Sequence, residues 1–490
     1  MSRTTVADVI VDGLERAGTP RVFLAGAAEP SRALGDAARR LSLPAVGVSG
    51  AAVACLMAAV TGQLANAPGA AVVSLGPDAV GEAGSALTAR APLILLTDDD
   101  AAPDPLERPG PAVKRCARIE SSAAGEAFAR ALVLAMTEPC GPVHVRVAAE
   151  VLAGEASRIT GACRPGPPPA PDPGGLDAAA GLLGRAARPV LVAGRGSRQS
   201  EVGKWLRALA EALPAPVLVT RAAKGAIPDP HPLALGVVGT AVATALARQS
   251  DLLVAIGADG DEVARSWWPE APAMLLGYGR AAVEPVHWAV EVAGEIAAIL
   301  EELAPRLRTR ERADWDVAAL DRLKRQLAAP LAPGSAFGPA RIVELAREAT
   351  TAGTIATVDA GRYHEAALER WRAVGPLQLL AAPDGARGGF ALPAALAAAL
   401  CHPDRPVLCL ADAAAIVREP GELALAARLA LPVAIVAGGS ATDDAVALAR
   451  ALAIPAVTAE GPDAFRGALG RALAGLRPAL IAVPGASGPV

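Results

Sequence analysis

Aromatic residues make up only 3% of the chain, so its cores must be built from Ala, Val and Leu, and few rings are available to stack on bases. A basic face is lacking as well. Acids and bases are interspersed and the formal net charge is −4, which together with the missing aromatics excludes a nucleic-acid partner. There is no C-x-x-C pair. The six cysteines, Cys55, Cys116, Cys140, Cys163, Cys401 and Cys409, are scattered, which suits reduced thiols in a cytoplasm and argues against a zinc site. Met1 to Glu15 has no apolar core or cleavage site of a signal peptide; Asp8, Asp12 and Glu15 fall at helical spacing and give a first amphipathic helix. Charge is absent altogether from Leu41 to Pro77, long enough to be tested as a membrane span. Pro44, Gly47, Gly50, Gln63, Asn66, Pro68 and Gly69 divide that stretch into strand, helix and strand, so no membrane segment is expected.

What is present is apolar material for several cores: 490 residues, 52% hydrophobic and 20% charged. Short apolar strands alternate with helices, the pattern of parallel sheets covered on both faces. The reading is α/β, with three consecutive doubly wound parallel-sheet domains at 1–160, 176–305 and 338–487. In the first, strands are expected at Arg21 to Leu24, Ala45 to Val48, Ala70 to Ser74 and Leu93 to Thr97, with Val143 to Val147 closing the sheet. The helix Ala51 to Ala65 is apolar on nearly every face, so a neighbouring subunit is expected to cover it, in a homodimer or homotetramer. The Pro-rich run from Cys163 to Gly175 reads as a spacer. The second domain has strands at Pro189 to Ala193, Val217 to Val219 and Leu252 to Ile256, and Trp267 and Trp268 are expected at a domain interface. A helix and linker at Arg306 to Phe337 lead to the third, with Pro339 in the first turn of a helix. Strands are expected there at Thr354 to Val358, Val407 to Leu410, Val433 to Ala437, Ala456 to Thr458 and Leu480 to Val483.

Lys224-Gly-Ala-Ile-Pro228, then His231-Pro-Leu233 and Leu235-Gly236, form a distinctive segment in the second unit; read locally it is a loop and turn between strands. Gly338 to Ile342, Gly389 to Ala395 and Asp404 to Val407 stand out in the third. With these segments the chain resembles, over nearly its whole length, the thiamine-diphosphate-dependent enzymes of the acetolactate synthase, pyruvate decarboxylase and benzoylformate decarboxylase type, as a divergent member. The resemblance implies pyrimidine-binding, central and diphosphate-binding domains, with thiamine diphosphate and Mg²⁺ as cofactors.

Residue by residue, the resemblance also shows departures. The family glutamate that activates the aminopyrimidine falls on Ala51, and no acid occurs between Asp36 and Asp78 to replace it. Glu82 reads as a solvated carboxylate. The Gly-Asp-Gly turn that binds Mg²⁺ is Ala411-Asp412-Ala413, so Asp412 remains a candidate metal ligand and, with Ala413, a cofactor contact. The Asn-Asn pair falls on Gly439 and Ser440; Asn66 is the only asparagine in the chain, which leaves Ser440, with Asp443 or Asp444, as substitute oxygen donors or a helix N-cap. Gly361, Arg362 and His364 replace a segment that lies against the diphosphate, where Arg362 would pair with phosphate oxygens; read locally they are a surface Arg and a loop His. The bulky wedge residue falls on Gly388. Asp98-Asp99-Asp100 replaces a Gly-Gln segment, and would repel a diphosphate if it faced one.

Two main functions follow, beside a third reading in which the vacated cleft does different chemistry or binds another phosphorylated ligand. One is an acetolactate synthase-like lyase or transferase, a decarboxylase or carboligase acting on a small 2-oxo acid with a degenerate site. The other is a pseudoenzyme, a silent homologue acting as a structural or regulatory partner. Gly194-Arg195-Gly196 resembles the start of a dinucleotide-binding turn without the full spacing.

Overall fold

The computed structural model describes residues 4–26, 29–99, 106, 112–120, 123–278, 288–307, 314–332, 334–383 and 389–485. Among the described residues, eighteen strands form three six-stranded sheets. The first contains β1 (Val22–Ala25), β2 (Ala45–Val48), β3 (Gly69–Val72), β4 (Leu93–Thr97), β5 (Arg115–Arg118) and β6 (Pro142–Arg146), in the order β2-β1-β3-β4-β6-β5. The second contains β7 (Pro189–Ala193), β8 (Val217–Val219), β9 (Ala234–Val237), β10 (Leu252–Ile256), β11 (Ala273–Gly277) and β12 (Trp288–Ala293), in the order β12-β11-β10-β7-β8-β9. The third contains β13 (Ile355–Val358), β14 (Leu379–Ala381), β15 (Val407–Asp412), β16 (Val433–Gly438), β17 (Ala456–Thr458) and β18 (Ala479–Val483), in the order β14-β13-β15-β16-β18-β17. β4, β7, β10 and β11 are buried at every residue, which is why they read as unbroken apolar runs.

Two expectations about the first sheet change. Val143 to Val147 does not close it, because β5 lies outside β6 and pairs with it in parallel, Arg115 opposite Val143 to Arg118 opposite Arg146. The half-exposed Arg-Cys-Ala-Arg strand carries the charge typical of a protected sheet edge. The apolar helix Ala51–Ala65 is covered from within the chain: it packs against the helix Ala391–Cys401, itself buried from Ala391 to Ala399, and against the helix Pro77–Thr88. Small residues permit the closeness. A Cβ on Gly69 would stand 1.8 Å from the Ala58 carbonyl oxygen, and one on Gly62 would stand 2.3 Å from that of Pro92.

The described chain forms two compact units, Met1–Gly166 with Ala382–Glu460 and Ala468–Gly485, and Pro167–Ala381 with Gly461–Gly467. In the second unit, Trp268 lies in the core and Trp267 packs against it. Trp268 stacks edge-on against Trp267 and Trp288 and belongs to a core with Trp315 and Leu320, so the segment leading into the helix Val317–Ala328 completes the second sheet's packing. The Lys224–Pro228 segment is scaffold: Lys224 pairs with Asp229 at 2.9 Å, and Asp229 accepts the Ala373 amide at 2.7 Å. The Leu235-Gly236 part is strand β9 rather than loop. No helix among the described residues is long and apolar enough to cross a membrane.

Candidate functional site

The loop after β13 turns at Gly361, whose φ of +115° is a left-handed value that side chains with a Cβ resist. The turn sets Arg362 and Tyr363 ahead of the helix His364–Arg370, with the His364 amide donating to the Gly361 carbonyl at 3.0 Å. His364 is buried, with its Nδ1 3.3 Å from Glu365 Oε1. Glu365 in turn accepts from Arg221 Nη1 at 2.8 Å. The expectation of a surface arginine and a loop histidine is therefore corrected. Nε and Nη1 of Arg362 are buried and have no hydrogen-bond partner among the described residues. A buried guanidinium nitrogen left without an acceptor costs about 1–3 kcal/mol, more when charged, and an anion would remove that cost. This loop thus fits a diphosphate.

Asp412 ends β15 opposite Gly438, the end of β16, so Asp412 and the Gly439-Ser440 turn emerge together at the carboxyl edge. Asp412 Oδ1 accepts the Ala414 amide at 2.9 Å and caps the short helix Ala413–Arg418; Ala413 is fully buried. Gly439 has φ +113° and Ser440 is exposed. Ser440 is not the helix cap: the helix Thr442–Ala451 starts from Ala441 without a side-chain cap, and Asp443 and Asp444 lie exposed in its first turn, where they favour the helix dipole. A hard cation that keeps waters and borrows phosphate oxygens needs only one or two protein oxygens, and Asp412 and Ser440, at the ends of adjacent strands, are the residues that would offer them. Among the described residues no group of three or more His, Cys, Asp or Glu side chains is arranged to hold a metal.

In the first unit, Ala51 opens its helix behind Gly50 with no side-chain cap, and offers no carboxylate. The acid nearby in the electrostatic sense is Glu82, on the helix Pro77–Thr88. It lies at helical spacing from the buried Ala79 and Ala86, on the stripe that faces inward. Burial, with Glu419 and Asp78 adding like charge, pushes its carboxyl up to about 7. Its charge also reaches Cys55, one turn beyond Ala51, whose thiol is pushed up to about 12, chiefly by burial. Glu82 was read as solvated; the apolar stripe it interrupts was the available signal. Glu422 was also missed. It is 3% exposed, accepts from the Ser49 hydroxyl through Oε1, and has no partner at Oε2 among the described residues. Beside it, Gly47, Val48, Ser49, Gly421, Ala424, Leu425 and Arg428 line a groove of about 320 Å³, with Arg428 Nη2 donating to the Gly47 carbonyl at 2.7 Å.

The acidic triplet is partly neutralised: Asp99 pairs with Arg118 on β5 and, at 3.0 Å, with Arg146 on β6. Asp100 and the wedge position Gly388 lie outside the described residues.

Comparison with known proteins agrees with this architecture. Residues 176–303 match the family model "Thiamine pyrophosphate enzyme, central domain". The large subunit of acetolactate synthase isozyme 1 from Escherichia coli is 28% identical over 270 residues, 53% of this chain and 47% of that protein. A probable 2-ketoarginine decarboxylase of Pseudomonas aeruginosa is 29% identical over 312 residues, 61% of this chain and 55% of that protein. The chain thus matches about half the length of these curated relatives. In fold, it is similar to a Mycobacterium smegmatis protein named as a thiamin diphosphate-dependent enzyme, with TM-score 0.81, 21% identity and 99% of each chain covered. Residues 176–303 thus match the central domain of thiamine pyrophosphate enzymes, and the chain is similar in sequence to acetolactate synthases and, as a whole, in fold to a thiamin diphosphate-dependent enzyme.

Proposed function

We propose that the protein is an acetolactate synthase-like, thiamine-diphosphate-dependent lyase or carboligase acting on a 2-oxo acid. The observation that carries this reading is Arg362, whose buried Nε and Nη1 lack an acceptor in the loop after β13. In the proposed roles, Arg362 holds diphosphate oxygens, His364 donates a further hydrogen bond and Gly361 permits the turn, while Ala413 follows Asp412 at the cofactor. Asp412 and Ser440 give oxygen atoms to Mg²⁺. When bound, the cofactor supplies an electron sink for breaking or making a C–C bond next to a carbonyl. With Ala51 in place of an acid, the group on this chain suited to moving a proton near neutrality is the Glu82 carboxyl. The protein is proposed to work as a homodimer or homotetramer in the cytoplasm, a compartment that suits its six scattered cysteines.

A second reading, a silent homologue serving as a structural or regulatory partner, draws on Asp412 Oδ1 being engaged as a helix cap and on the exposure of Ser440. Calorimetric titration with thiamine diphosphate and Mg²⁺, paired with a CO₂-release assay on pyruvate and other 2-oxo acids, separates the two. Submillimolar binding with turnover is expected. Binding without turnover of any 2-oxo acid favours the second reading, and no binding at millimolar cofactor removes the first.

A further inference from the structure

The strand order of the second sheet reverses between β7 and β10: the chain leaves β7 for β8 and β9 on one side, then returns to β10, β11 and β12 on the other. In open α/β sheets the crevice outside the carboxyl ends at such a point is where ligands bind, commonly with backbone amides on a phosphate. Here the two bordering loops close on each other. Gly194 N donates to Ile256 O at 2.9 Å and Gly196 N to Gly257 O at 2.8 Å. A Cβ on Gly194 would stand 2.2 Å from Ala258 Cα, and one on Gly257, at φ +60°, would stand 2.9 Å from Gly196 Cα. The glycines admit the opposite loop rather than a pyrophosphate.

Between the loops lies a carboxylate. The Arg195 amide donates to both oxygens of Glu262, at 2.9 and 3.0 Å, the Asp259 amide to Oε2 at 2.8 Å, and the Thr220 hydroxyl to Oε1 at 2.5 Å. Arg195 Nε stands 3.7 Å from Oε1, and the Glu262 side chain is only 1% exposed. Two amides from two loops and a hydroxyl form the donor set, with a guanidinium at ion-pair distance, that a phosphate would use. The Arg195 side chain is itself 8% exposed and is met by Asp261 at 3.0 and 2.8 Å and by Asp259 at 3.4 Å. Burial opposes its charge, but Glu262, Asp261 and Asp259 more than offset this and raise its pKa.

We propose that the switch point of the second sheet is a phosphate-type anion cradle that the chain fills with its own Glu262 carboxylate, so that this unit folds without a phosphorylated ligand there. With one guanidinium facing three carboxylates, a phosphate entering beside the seated Glu262 would meet net negative charge. The wild-type cradle is closed to phosphate and diphosphate, and removing the Glu262 side chain opens it.

The test compares thermal unfolding of the full chain with and without Glu262→Ala, in inorganic pyrophosphate or in chloride at equal ionic strength. Both chains carry Arg362→Ala, so that the loop after β13 adds no anion site and failure of the proposed function is read separately. Pyrophosphate at about ten times its Kd should raise the Tm of the Glu262→Ala chain by about 2–4 °C and leave the chain with Glu262 unchanged. Equal shifts in the two chains, or none in the folded variant, overturn the proposal. If Glu262→Ala does not fold, Glu262→Gln keeps the shape, and amide exchange at Arg195 and Asp259 should speed at least about tenfold, as expected when a charged acceptor becomes neutral. Unchanged exchange at both amides overturns it.

Discussion

Arg195 and Arg362 each follow a buried parallel strand, in a loop that turns at its carboxyl end, and both carry buried guanidinium nitrogens. Their surroundings differ. Arg195 meets Asp259, Asp261 and Glu262, all contributed by the loop after β10. Arg362 has two buried nitrogens without an acceptor among the described residues. A cation whose acceptors lie within the chain serves stability, whereas one left short of acceptors costs stability until an anion arrives. The same contrast holds for carboxylates. Glu262 is surrounded by donors, while Glu82 is half-buried, with Glu419 and Asp78 adding like charge.

The sharpest way to break the comparison is Arg195→Ala. Removing one partner of a buried ionic network should cost about 3–5 kcal/mol in denaturant unfolding and leave calorimetric binding of thiamine diphosphate unchanged. A stable variant with impaired cofactor binding would reverse the roles assigned to the two arginines. Arg362→Ala should do the opposite. It should weaken cofactor binding by about 10- to 100-fold, as loss of charge-assisted hydrogen bonds implies, and leave the melting temperature level or higher.

The smallest effect is expected at Glu82. Its carboxyl is raised from an ordinary 4.5 to about 7, so between those values the folded chain binds more protons than the unfolded one, and stability falls as pH rises. That contribution is fully present below about 4.5 and is lost as pH passes about 7. Glu82→Gln, which mimics the protonated acid, should therefore stabilise the protein by about 1–2 kcal/mol at pH 8 and change little at pH 4.5. Equal effects at both pH values would show that like-charge burial is not what distinguishes Glu82 from Glu262.

Most interior strands were legible because a strand covered on both faces must be apolar throughout, as at Leu93–Thr97 and Leu252–Ile256. Four of the five strands that went unread, β5, β9, β12 and β14, are sheet edges. β12 alternates between exposed and half-buried positions over most of its length, and β14 has three residues, so neither gives an apolar run. β11, an interior Ala-Met-Leu-Leu-Gly run, was readable and was missed. The expectation that a neighbouring subunit covers the helix Ala51–Ala65 changed for a different reason. Apolarity says that a helix is covered, not by what, and the cover here is the helix Ala391–Cys401 of the same chain.

For the site, residue identity alone determined the losses: no acid between Asp36 and Asp78 and a single asparagine, facts that no folding can change. Sequence also determined which loops follow strands, because the apolar runs end where Asp412 and the Gly361 turn begin. Tertiary structure decided which charges are satisfied. Arg195 and Glu262 are 67 positions apart and Arg146 and Asp99 are 47 apart, and such pairings depend on which strands the sheet sets side by side. Burial, which turns an ordinary Glu82 into a proton-exchanging group near neutrality and leaves Arg362 short of acceptors, likewise exists only once helices and sheets have packed.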